Sequence, residues 1–582
     1  MSEIIIGIDL GTTNSEVAVV QSHGLEVVGM GKARIVPSIV GIGDDGTTLV
    51  GEPARNQYVL YPERTIKSIK RRMGNTEKVT MAGKEYTPQE ISAIILRHLK
   101  GMVEKHLGQA ITKAVITVPA YFNDAQRQAT REAGEIAGLE VVRIINEPTA
   151  AALTFEAANK RHQKVLVYDL GGGTFDVSVV RMEDDVVEVM ASHGDNHLGG
   201  DDFDQKIVDH IIKHLEEQQG VDVRHSMQAM ARIDRAAEQA KRTLSDHAFA
   251  KLEEEYLLDT PQGPIHLNLE LARDQYEEMI DPYVNETMEA VHIALKGAQL
   301  TVSDIDQILL VGGSTRTPLI RRRLEEEFRR QPRGEIDPDL CVAMGAAIHA
   351  AMMGGQEATA VLVDVTPYTF GTSAMGEING FPSPDMFVPI IRKNSPIPVT
   401  KSDTFYTMVD NQDAVIVKIF QGEDTDAARN VEVGSFTVNG LSKVPSGNPV
   451  VLQLALDLNG VLEVKAMEKA TGLEKSISID NAVSRFAAAE MQAAKQRIDA
   501  LFETDPHEVA AGTSEKTLSH RQVQARALVE KAERMLEGAN PEDREDMVNL
   551  IEDINDAIAG NNLEDLAVPM DELSDILYYI QS

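Results

Sequence analysis

The sequence predicts a multidomain protein in which a two-lobed α/β domain is followed by a β domain and a helical segment. Three observations support this fold class. The strand–turn–strand pattern of residues 4–20 returns at residues 165–180, so the α/β part contains an internal repeat. From Pro367 the apolar pattern is typical of β-strands, and from about Ser484 it is helical. We therefore expect two lobes around a shared cleft, then strands, then helices.

The composition limits the class of protein. The chain has 582 residues, 43% of them hydrophobic, so several domains with large cores can form. A formal net charge of −35 argues against nucleic-acid binding and favours basic or apolar partners. Neither a signal-type segment nor an apolar run of membrane-spanning length occurs. The single cysteine, Cys341, fits a reducing compartment and reads as a packed apolar residue, so we expect a cytoplasmic protein without membrane contact.

Both copies of the repeat carry the residues that a phosphate site needs. A β-branched run ends at Asp9 in the first copy, and the matching run ends at Asp169 in the second. A glycine follows at Gly11 and at Gly171. A carboxylate at a strand end can hold a hydrated divalent cation, and a glycine turn can direct N–H groups at a phosphate. The repeat favours one such pair in each lobe, while the alternative is two unrelated buried hairpins.

Three other segments are candidate parts of the same cleft. Lys70 lies in the basic run 65–72 and reads either as a phosphate ligand or as part of a solvated helix face. Glu147 follows a predicted strand, where a carboxylate can act in catalysis or favour a helix N-terminus. The apolar strand 308–311 runs into a glycine turn that could bind a nucleotide. No GxxxxGK[ST] sequence occurs, so a P-loop is excluded.

The chain changes character after residue 353. An apolar thread, residues 361–363, lies between a glycine-rich end and Asp364, and a solvated linker explains it poorly. We expect this thread to dock on the α/β domain. The clearest β-hairpin joins residues 450–458 to residues 461–466 through Asn459-Gly460, a type I′ turn signal.

Five motifs resemble the DnaK family, the seventy-kilodalton heat-shock chaperones. They are GIDLGTTNS at 7–15, ITVPAYF at 116–122, NEPTAAA at 146–152, DLGGGTFD at 169–176 and VGGSTR at 311–316. The resemblance covers the chain to about residue 500 and is looser beyond it. The shortened segment 74–87, the turn 194–196 and the short tail are most similar to the HscC branch.

The resemblance implies four parts of the chain. They are an actin-like ATPase domain with duplicated ribonuclease H-like lobes (1–357), an interdomain linker (358–366), a β-sandwich peptide-binding domain (367–483) and a helical lid (484–582). It also implies ATP or ADP with Mg²⁺, with K⁺ as an optional further ion. The implied activity is ATP hydrolysis to ADP and phosphate, which controls the binding and release of unfolded or extended apolar peptides.

The resemblance also implies roles for residues of the cleft. Asp9 and Asp169 would position the hydrated magnesium, and the implied catalytic residues are Lys70, Glu147, Asp169 and Thr174. The phosphates would be held by Gly11, Thr12, Thr13, Asn14, Gly171, Gly172, Gly173, Thr174, Gly199 and Gly200. The adenosine would be held by Glu238, Lys241, Arg242, Ser245, Gly312, Gly313, Ser314, Arg316 and Asp339.

Further roles follow from the same resemblance. Peptide would bind at Met375, Phe405, Met408, Gln412, Val415 and Val417. Interdomain coupling would use Pro119, Arg127, Val361, Leu362, Val363 and Asp364. A J-domain co-chaperone would dock at Arg143, Asn146 and Asp364, and the need for an exchange factor stays open. The chain departs from the family pattern at Thr372, where an apolar pocket residue is usual, and in the longer segment 377–389.

Two other functions are weighed against the chaperone. A small-molecule kinase could use the same two-lobed scaffold, but it would leave the β domain without a role. A nucleotide-exchange partner of another chaperone would not need to hydrolyse ATP, and the presence of Lys70, Glu147 and Thr174 weighs against that reading. Peptide-stimulated hydrolysis without a phosphorylated product would separate the chaperone from the kinase.

Overall fold

The computed structural model describes residues 4–29, 33–158, 162–183, 185–261, 263–333, 337–355, 361–458, 460–479, 488–503, 529, 532, 541–560, 569–570 and 573. The chain divides into two compact units, Met1–Asp505 and Pro506–Ser582. The predicted helical segment begins outside the described residues, because residues 480–487 are not among them.

The first unit contains all the described strands and ten of the described α-helices. The strands are β1 (Ile5–Leu10), β2 (Asn14–Gln21), β3 (Gly24–Val28), β4 (Val36–Pro37), β5 (Val40–Ile42), β6 (Thr48–Val50), β7 (Thr65–Ile66), β8 (Val79–Met81), β9 (Lys84–Tyr86), β10 (Lys113–Val118), β11 (Glu140–Asn146), β12 (Gln163–Leu170), β13 (Phe175–Glu183), β14 (Val186–Asp195), β15 (Phe249–Thr260), β16 (Gly263–Ala272), β17 (Gln307–Val311), β18 (Val361–Val365), β19 (Phe370–Ile378), β20 (Phe381–Ile391), β21 (Pro396–Ile397), β22 (Val399–Tyr406), β23 (Ala414–Gln421), β24 (Val431–Asn439), β25 (Pro449–Leu456), β26 (Leu462–Glu468) and β27 (Glu474–Ile479). The helices are α1 (Glu52–Tyr58), α2 (Pro88–Leu107), α3 (Asp124–Ile136), α4 (Glu147–Ala158), α5 (Gly200–Gln219), α6 (Met227–Asp246), α7 (Arg273–Gly297), α8 (Pro318–Phe328), α9 (Cys341–Met353) and α10 (Ala488–Glu503).

Two six-stranded sheets form the α/β part, and each is built around one copy of the repeated hairpin. The first sheet has the order β11-β10-β1-β2-β3, with β4 beside β2. The second has the order β17-β12-β13-β14-β18-β21. In each sheet the first hairpin strand pairs antiparallel with the second and parallel with a later strand, β1 with β10 and β12 with β17. We call the regions around these sheets the first lobe and the second lobe.

Small residues bring α9 against both the first sheet and α4. A Cβ atom on Gly7 would lie 2.1 Å from the Ala347 nitrogen, and one on Gly345 would lie 1.7 Å from the Ala150 oxygen. Only glycine permits such close approach of two backbones. Cys341, the first residue of α9, is buried in this packing as expected.

Local sequence signals explain where several helices begin. Thr87 and Glu90 form a capping box at the start of α2, with the Thr87 side chain accepting from the Glu90 nitrogen at 3.3 Å. Asn123 and Gln126 form the same motif at α3, which places Arg127 in its first turn.

Two antiparallel four-stranded sheets follow, in the orders β20-β19-β23-β24 and β22-β25-β26-β27. Their inner faces share one core, formed by Phe370, Ile419, Leu454 and Val464 among others. The predicted hairpin of β25 and β26 is present, although β25 ends at Leu456 and Leu458 is exposed rather than on the buried face. Asn459 of its turn lies outside the described residues.

Two elements join the β part to the lobes. Strand β18 pairs parallel with β14 of the second sheet and antiparallel with β21, which precedes β22. Helix α10 packs on α2 and α3, with Ala494 and Ile498 fully buried and Arg497 Nη2 lying 2.6 Å from Glu90 Oε1.

The second unit contains α11 (Pro541–Gly560). Of its apolar side chains, Met547 and Ile554 are completely buried. Among the residues that the structure describes, no helix is both long and apolar enough to cross a membrane.

Candidate functional site

A cavity of 1130 Å³ opens between the two lobes. The turns between β1 and β2 and between β12 and β13 both line it, as the repeat predicted. The predicted residues that line it are Asp9, Gly11, Thr12, Thr13, Asn14, Lys70, Glu147, Asp169, Gly171, Gly172, Thr174, Glu238, Lys241, Arg242, Ser245, Gly312, Gly313, Ser314, Arg316 and Asp339. Gly173, Gly199 and Gly200 lie beside the cavity without lining it.

The two glycine turns touch each other at the base of the cavity. A Cβ atom on Gly172 would lie 1.8 Å from Thr13 Oγ1, so the contact requires glycine. Helix α5 begins beneath the second turn, where the Gly200 nitrogen donates to the Gly171 oxygen at 2.9 Å. Thr13 Oγ1 is buried and has no hydrogen-bond partner among the described residues. A buried hydroxyl without a partner at a glycine turn fits a bound phosphate.

The carboxylates of Asp9 and Asp169 converge on this base from the two lobes. Thr117 Oγ1 donates to Asp9 Oδ1 at 3.0 Å. Burial, followed by the charge of Glu147, raises the pKa of Asp9 to about 7 and raises the pKa of Asp169 well above its ordinary range. A divalent cation would hold both ionised, and carboxylate oxygens suit Mg²⁺. In the described part of the chain, no group of three or more acidic, histidine or cysteine side chains is arranged to hold a metal ion directly.

Lys70 is buried in the cleft and forms an ion pair with Glu147. Only 4% of Lys70 and 7% of Glu147 is exposed. Lys70 belongs to a short 3₁₀ helix, Ile69–Arg72, so the interpretation of this run as a solvated α-helix face is wrong. Burial lowers the pKa of Lys70, but the charges of Glu147 and Asp9 outweigh burial and raise that pKa overall. Glu147 lines the cleft and is also the first residue of α4, so its position is compatible with both interpretations, and a catalytic role stays a prediction.

Ion pairs order the far end of the cleft, at the residues predicted to hold adenosine. Glu238 accepts from Arg242 Nη2 at 2.6 Å and from Arg55 Nη2 at 2.7 Å, across the mouth of the cavity. Arg316 Nη2 donates to Asp339 Oδ2 at 2.7 Å. Sequence reasoning missed Arg55, because nothing near it in the chain marks it as part of the cleft.

Sequence reasoning also missed a second acid on each repeated hairpin. Glu16 lies directly opposite Asp9 in the first hairpin, and Asp176 lies opposite Asp169 in the second. The repeat was the signal that could have identified both acids, because each acid lies seven residues after the aspartate of its hairpin. Burial and then the Glu147 charge raise the pKa of Asp176 to about 7.

Two of the residues predicted for interdomain coupling, Arg127 and Asp364, are joined through Asn146 by hydrogen bonds. Arg127 Nη2 donates to the Ala120 oxygen at 3.0 Å and to Asn146 Oδ1 at 2.6 Å. Asn146 Nδ2 in turn donates to Asp364 Oδ2 at 2.9 Å, on β18. Burial raises the pKa of Asp364.

Arg143 completes this region. It lines a small cavity of 40 Å³ together with Arg127, Asn146, Leu362 and Asp364. The Arg143 Nε atom is buried and has no partner among the described residues. The three residues predicted to receive a J-domain are therefore neighbours around one cavity.

A second set of contacts to the β part was not predicted. Asp176 accepts hydrogen bonds from the Ala120 nitrogen at 3.2 Å and the Tyr121 nitrogen at 3.1 Å, in the loop that follows Pro119. Tyr121 receives hydrogen bonds from the Tyr368 hydroxyl at 2.6 Å and from Lys393 Nζ at 3.0 Å. The acid of the second hairpin is thus connected to the β part through a single loop.

The predicted peptide-binding residues lie on the strands and loops at one region of the β part. Met375 and Met408 are 51% and 61% exposed. Phe405 and Val415 are half-buried against the sandwich core, and Val417 is buried within it.

Two polar side chains shape this region. Gln412 Oε1 accepts from the Met408 nitrogen at 2.9 Å, which orders the loop that carries Met408. Thr372 Oγ1 donates to the Lys418 oxygen at 2.7 Å, so its hydroxyl is satisfied within the protein.

Comparison with known proteins defines the family. A family model described as "Hsp70 protein" matches residues 5–582. The chain is similar to proteins named "Chaperone protein DnaK". That of Thermosipho africanus is 44% identical over 98% of this chain and 95% of its own length. That of Thermotoga neapolitana is 47% identical over 82% of this chain and 80% of its own length. The chain therefore belongs to the Hsp70 family of ATP-dependent molecular chaperones, and it is an ATPase. The similarity to the HscC branch stays a prediction.

Proposed function

We propose that this chain binds Mg²⁺-ATP in the cleft between its lobes and uses ATP hydrolysis to control the binding of extended apolar peptides by its β part. The observation that carries the proposal is the pairing of β18 with β14 of the second sheet and with β21, because it connects the two sites directly. A small-molecule kinase would not require that connection.

Within the cleft, the proposed roles follow from position and charge. Asp9 and Asp169 hold the hydrated cation, and the turns at Thr13 and Gly172 hold the phosphates. Bound Mg²⁺ supplies charge neutralisation at the phosphates. Lys70 stays protonated and stabilises the charge that develops on the transferred phosphoryl group.

In the β part, Met375 and Met408 form a flexible apolar arch over Phe405, Val415 and Val417. Unbranched methionines adapt to side chains of different shape, which favours promiscuous peptide binding. The residue boundaries proposed for the parts of the chain remain 1–357, 358–366, 367–483 and 484–582.

The proposed partners are client peptides and a J-domain co-chaperone. The clustering of Arg143, Asn146 and Asp364 around one cavity supports a docking surface there. A cytoplasmic location is also proposed, and the single cysteine supports it.

Hydrolysis of ATP labelled at the γ-phosphate tests the proposal, measured with and without an unfolded polypeptide. We expect inorganic phosphate as the product and a faster rate with the polypeptide. Met408→Asp should abolish the stimulation and keep the basal rate. Val431→Asp, an exposed control on β24, should keep both. A phosphorylated small molecule as the product, or a hydrolysis rate that does not change when polypeptide is added, would contradict the proposal.

A further inference from the structure

Glu16 is a buried acid that lines the nucleotide cleft, and its carboxylate has no partner in the part of the chain that the structure describes. Only 3% of the residue is exposed, and it contributes to the wall of the 1130 Å³ cavity. Its carboxylate makes no hydrogen bond and no ion pair with any residue that the structure describes. A buried carboxylate without donors is costly, so proteins pair such groups or place them beside a cation.

The matching acid of the second hairpin has a different environment. Asp176 accepts two backbone N–H groups, from Ala120 and Tyr121, and does not line the cavity. The repeat thus places two equivalent acids opposite two equivalent aspartates, but the protein satisfies only one of them. The donors for Glu16 must come from the contents of the cleft.

The position of Glu16 limits which donors these are. Glu16 and Asp9 lie opposite each other in the antiparallel pair of β1 and β2, and both line the cavity. Like charges in directly opposed positions repel unless a cation lies near them. Among the residues that the structure describes, the one buried cation beside them is Lys70, which is already paired with Glu147. Glu16 therefore lies at the end of the cleft that is proposed to hold the phosphates and the metal ion. Its carboxylate needs a positive charge or bound water there.

We propose that Glu16 accepts hydrogen bonds from the water shell of the Mg²⁺ ion that accompanies the nucleotide, opposite Asp9. The proposal rests on the proposed Mg²⁺-nucleotide site and adds a positioning residue to it. Residues that orient the shell around a metal typically change metal affinity about 10- to 100-fold when they are replaced. Glu16 thereby makes nucleotide binding in this chain depend more strongly on Mg²⁺.

The test compares ADP affinity at saturating Mg²⁺ with ADP affinity in EDTA, by titration calorimetry of the full chain. We expect Glu16→Gln to reduce the factor by which Mg²⁺ tightens ADP binding by about 10-fold or more. Glu16→Asp keeps the charge and should retain most of that factor. Glu325→Gln makes the same change at another wall of the cavity and should leave the factor unchanged.

Two reference measurements separate this inference from the proposed function. Asp169→Asn should remove most of the Mg²⁺ effect, and if the wild type shows no Mg²⁺ effect, the proposed cation site itself is wrong.

If Asp169→Asn removes the effect and Glu16→Gln leaves the factor unchanged, the inference is wrong. An equal loss of ADP affinity with and without Mg²⁺ would assign Glu16 to the nucleotide instead, for example to a ribose hydroxyl. Thermal melting of each variant shows whether it is folded. If Glu16→Gln is not folded, Glu16→Asp provides a second test.

Discussion

Single buried charges determine the chemistry available in the cleft. Lys70 and Glu147 are both almost completely buried, and each is the principal opposite charge of the other. Removing one member of a buried pair leaves the other uncompensated, which costs far more than the loss of a surface pair. The pair therefore fixes the position of Lys70 at the base of the cavity, beside Asp9 and Asp169.

Lys70→Ala should slow single-turnover ATP hydrolysis by about two to three orders of magnitude, because one preorganised electrostatic stabiliser is lost. ATP affinity should change much less, since the glycine turns and carboxylates remain. Arg72→Ala changes an exposed cation of the same 3₁₀ helix and should leave hydrolysis unaltered. Near-normal hydrolysis in Lys70→Ala would refute the assignment.

Glu468 is a buried acid that stabilises the β part. The Glu468 carboxylate accepts hydrogen bonds from the Thr471 hydroxyl, the Asn448 amide and both the nitrogen and the hydroxyl of Ser442. These hydrogen bonds lower the pKa of Glu468 from 4.5 to about 2, and the bond from Thr471 has the largest effect. Because the folded pKa is the lower one, the ionised group stabilises the fold above about pH 4.5, and this contribution is lost as the pH falls towards 2.

Glu468→Gln should lower the melting temperature of the β part by about 4 °C at pH 7. The difference from the wild type should shrink as the pH is lowered through 4 towards 3, since the wild-type carboxylate is then partly protonated. Calorimetry across this pH range measures it. Glu432→Gln, an exposed acid on β24, is the control without an effect. A difference that stays constant from pH 7 to pH 3 would show that ionisation of Glu468 is irrelevant.

At the scale of elements, β18 is the connection between the two sites. Its backbone continues the second sheet by pairing with Val186–Glu188, and its carboxylate at Asp364 receives a hydrogen bond from Asn146. Leu362 packs against a buried core of the lobes, whereas Val361 is exposed. The docked thread therefore depends on both strand pairing and one apolar side chain.

Leu362→Asp should uncouple the sites, because it places a charge where an apolar side chain packs. We expect basal hydrolysis to persist while peptide no longer stimulates it and ATP no longer releases peptide. Val361→Asp introduces the same charge at the exposed neighbour and should leave coupling intact. Normal coupling in Leu362→Asp would mean that β18 is only a tether.

Local patterns predicted several elements and the glycine turns of the site. The internal repeat predicted both of its hairpins, and the Asn459-Gly460 signal predicted the hairpin of β25 and β26. The repeated aspartates and glycine turns were also found in the cleft. Regular patterns of this kind report local geometry, which is why they are visible in a single sequence.

The sequence did not reveal contacts between residues far apart in the chain. Arg55 with Glu238, Lys393 with Tyr121 and Arg497 with Glu90 are ion pairs or hydrogen bonds that only tertiary packing creates. The basic run at Lys70 left two interpretations open, because the sequence does not show that another segment buries Lys70 in an ion pair with Glu147.

At the scale of the whole molecule, the first unit holds the lobes, β18 and the sandwich together. Two hydrogen-bonded routes, which meet at the loop of Ala120 and Tyr121, join the lobes to the β part. One runs through Arg127, Asn146 and Asp364, and the other runs from Asp176 to Tyr121. A ligand that favours this docked arrangement at one site must change the affinity at the other, since coupling between two sites is reciprocal.

We expect weak and rapidly exchanging peptide binding in the ADP state. The helical region predicted after residue 484 is acidic, and Thr372 makes the predicted pocket less apolar than an aliphatic residue would. Dissociation should therefore dominate turnover, and basic apolar peptides should bind better than acidic ones. The release rate of a fluorescent peptide from the full chain is compared with that from a chain that ends at Glu503. Release over many minutes, made much faster by truncation, would contradict this expectation.

The most direct test of the account is the release of a bound fluorescent peptide when ATP is added to the full chain, with ADP as the reference. The account predicts that ATP accelerates release at least about tenfold, a coupling of roughly 1.4 kcal/mol, and that Leu362→Asp abolishes the acceleration. Equal release rates with ATP and ADP, in protein shown to bind both nucleotides, would contradict the claim that the cleft controls the β part.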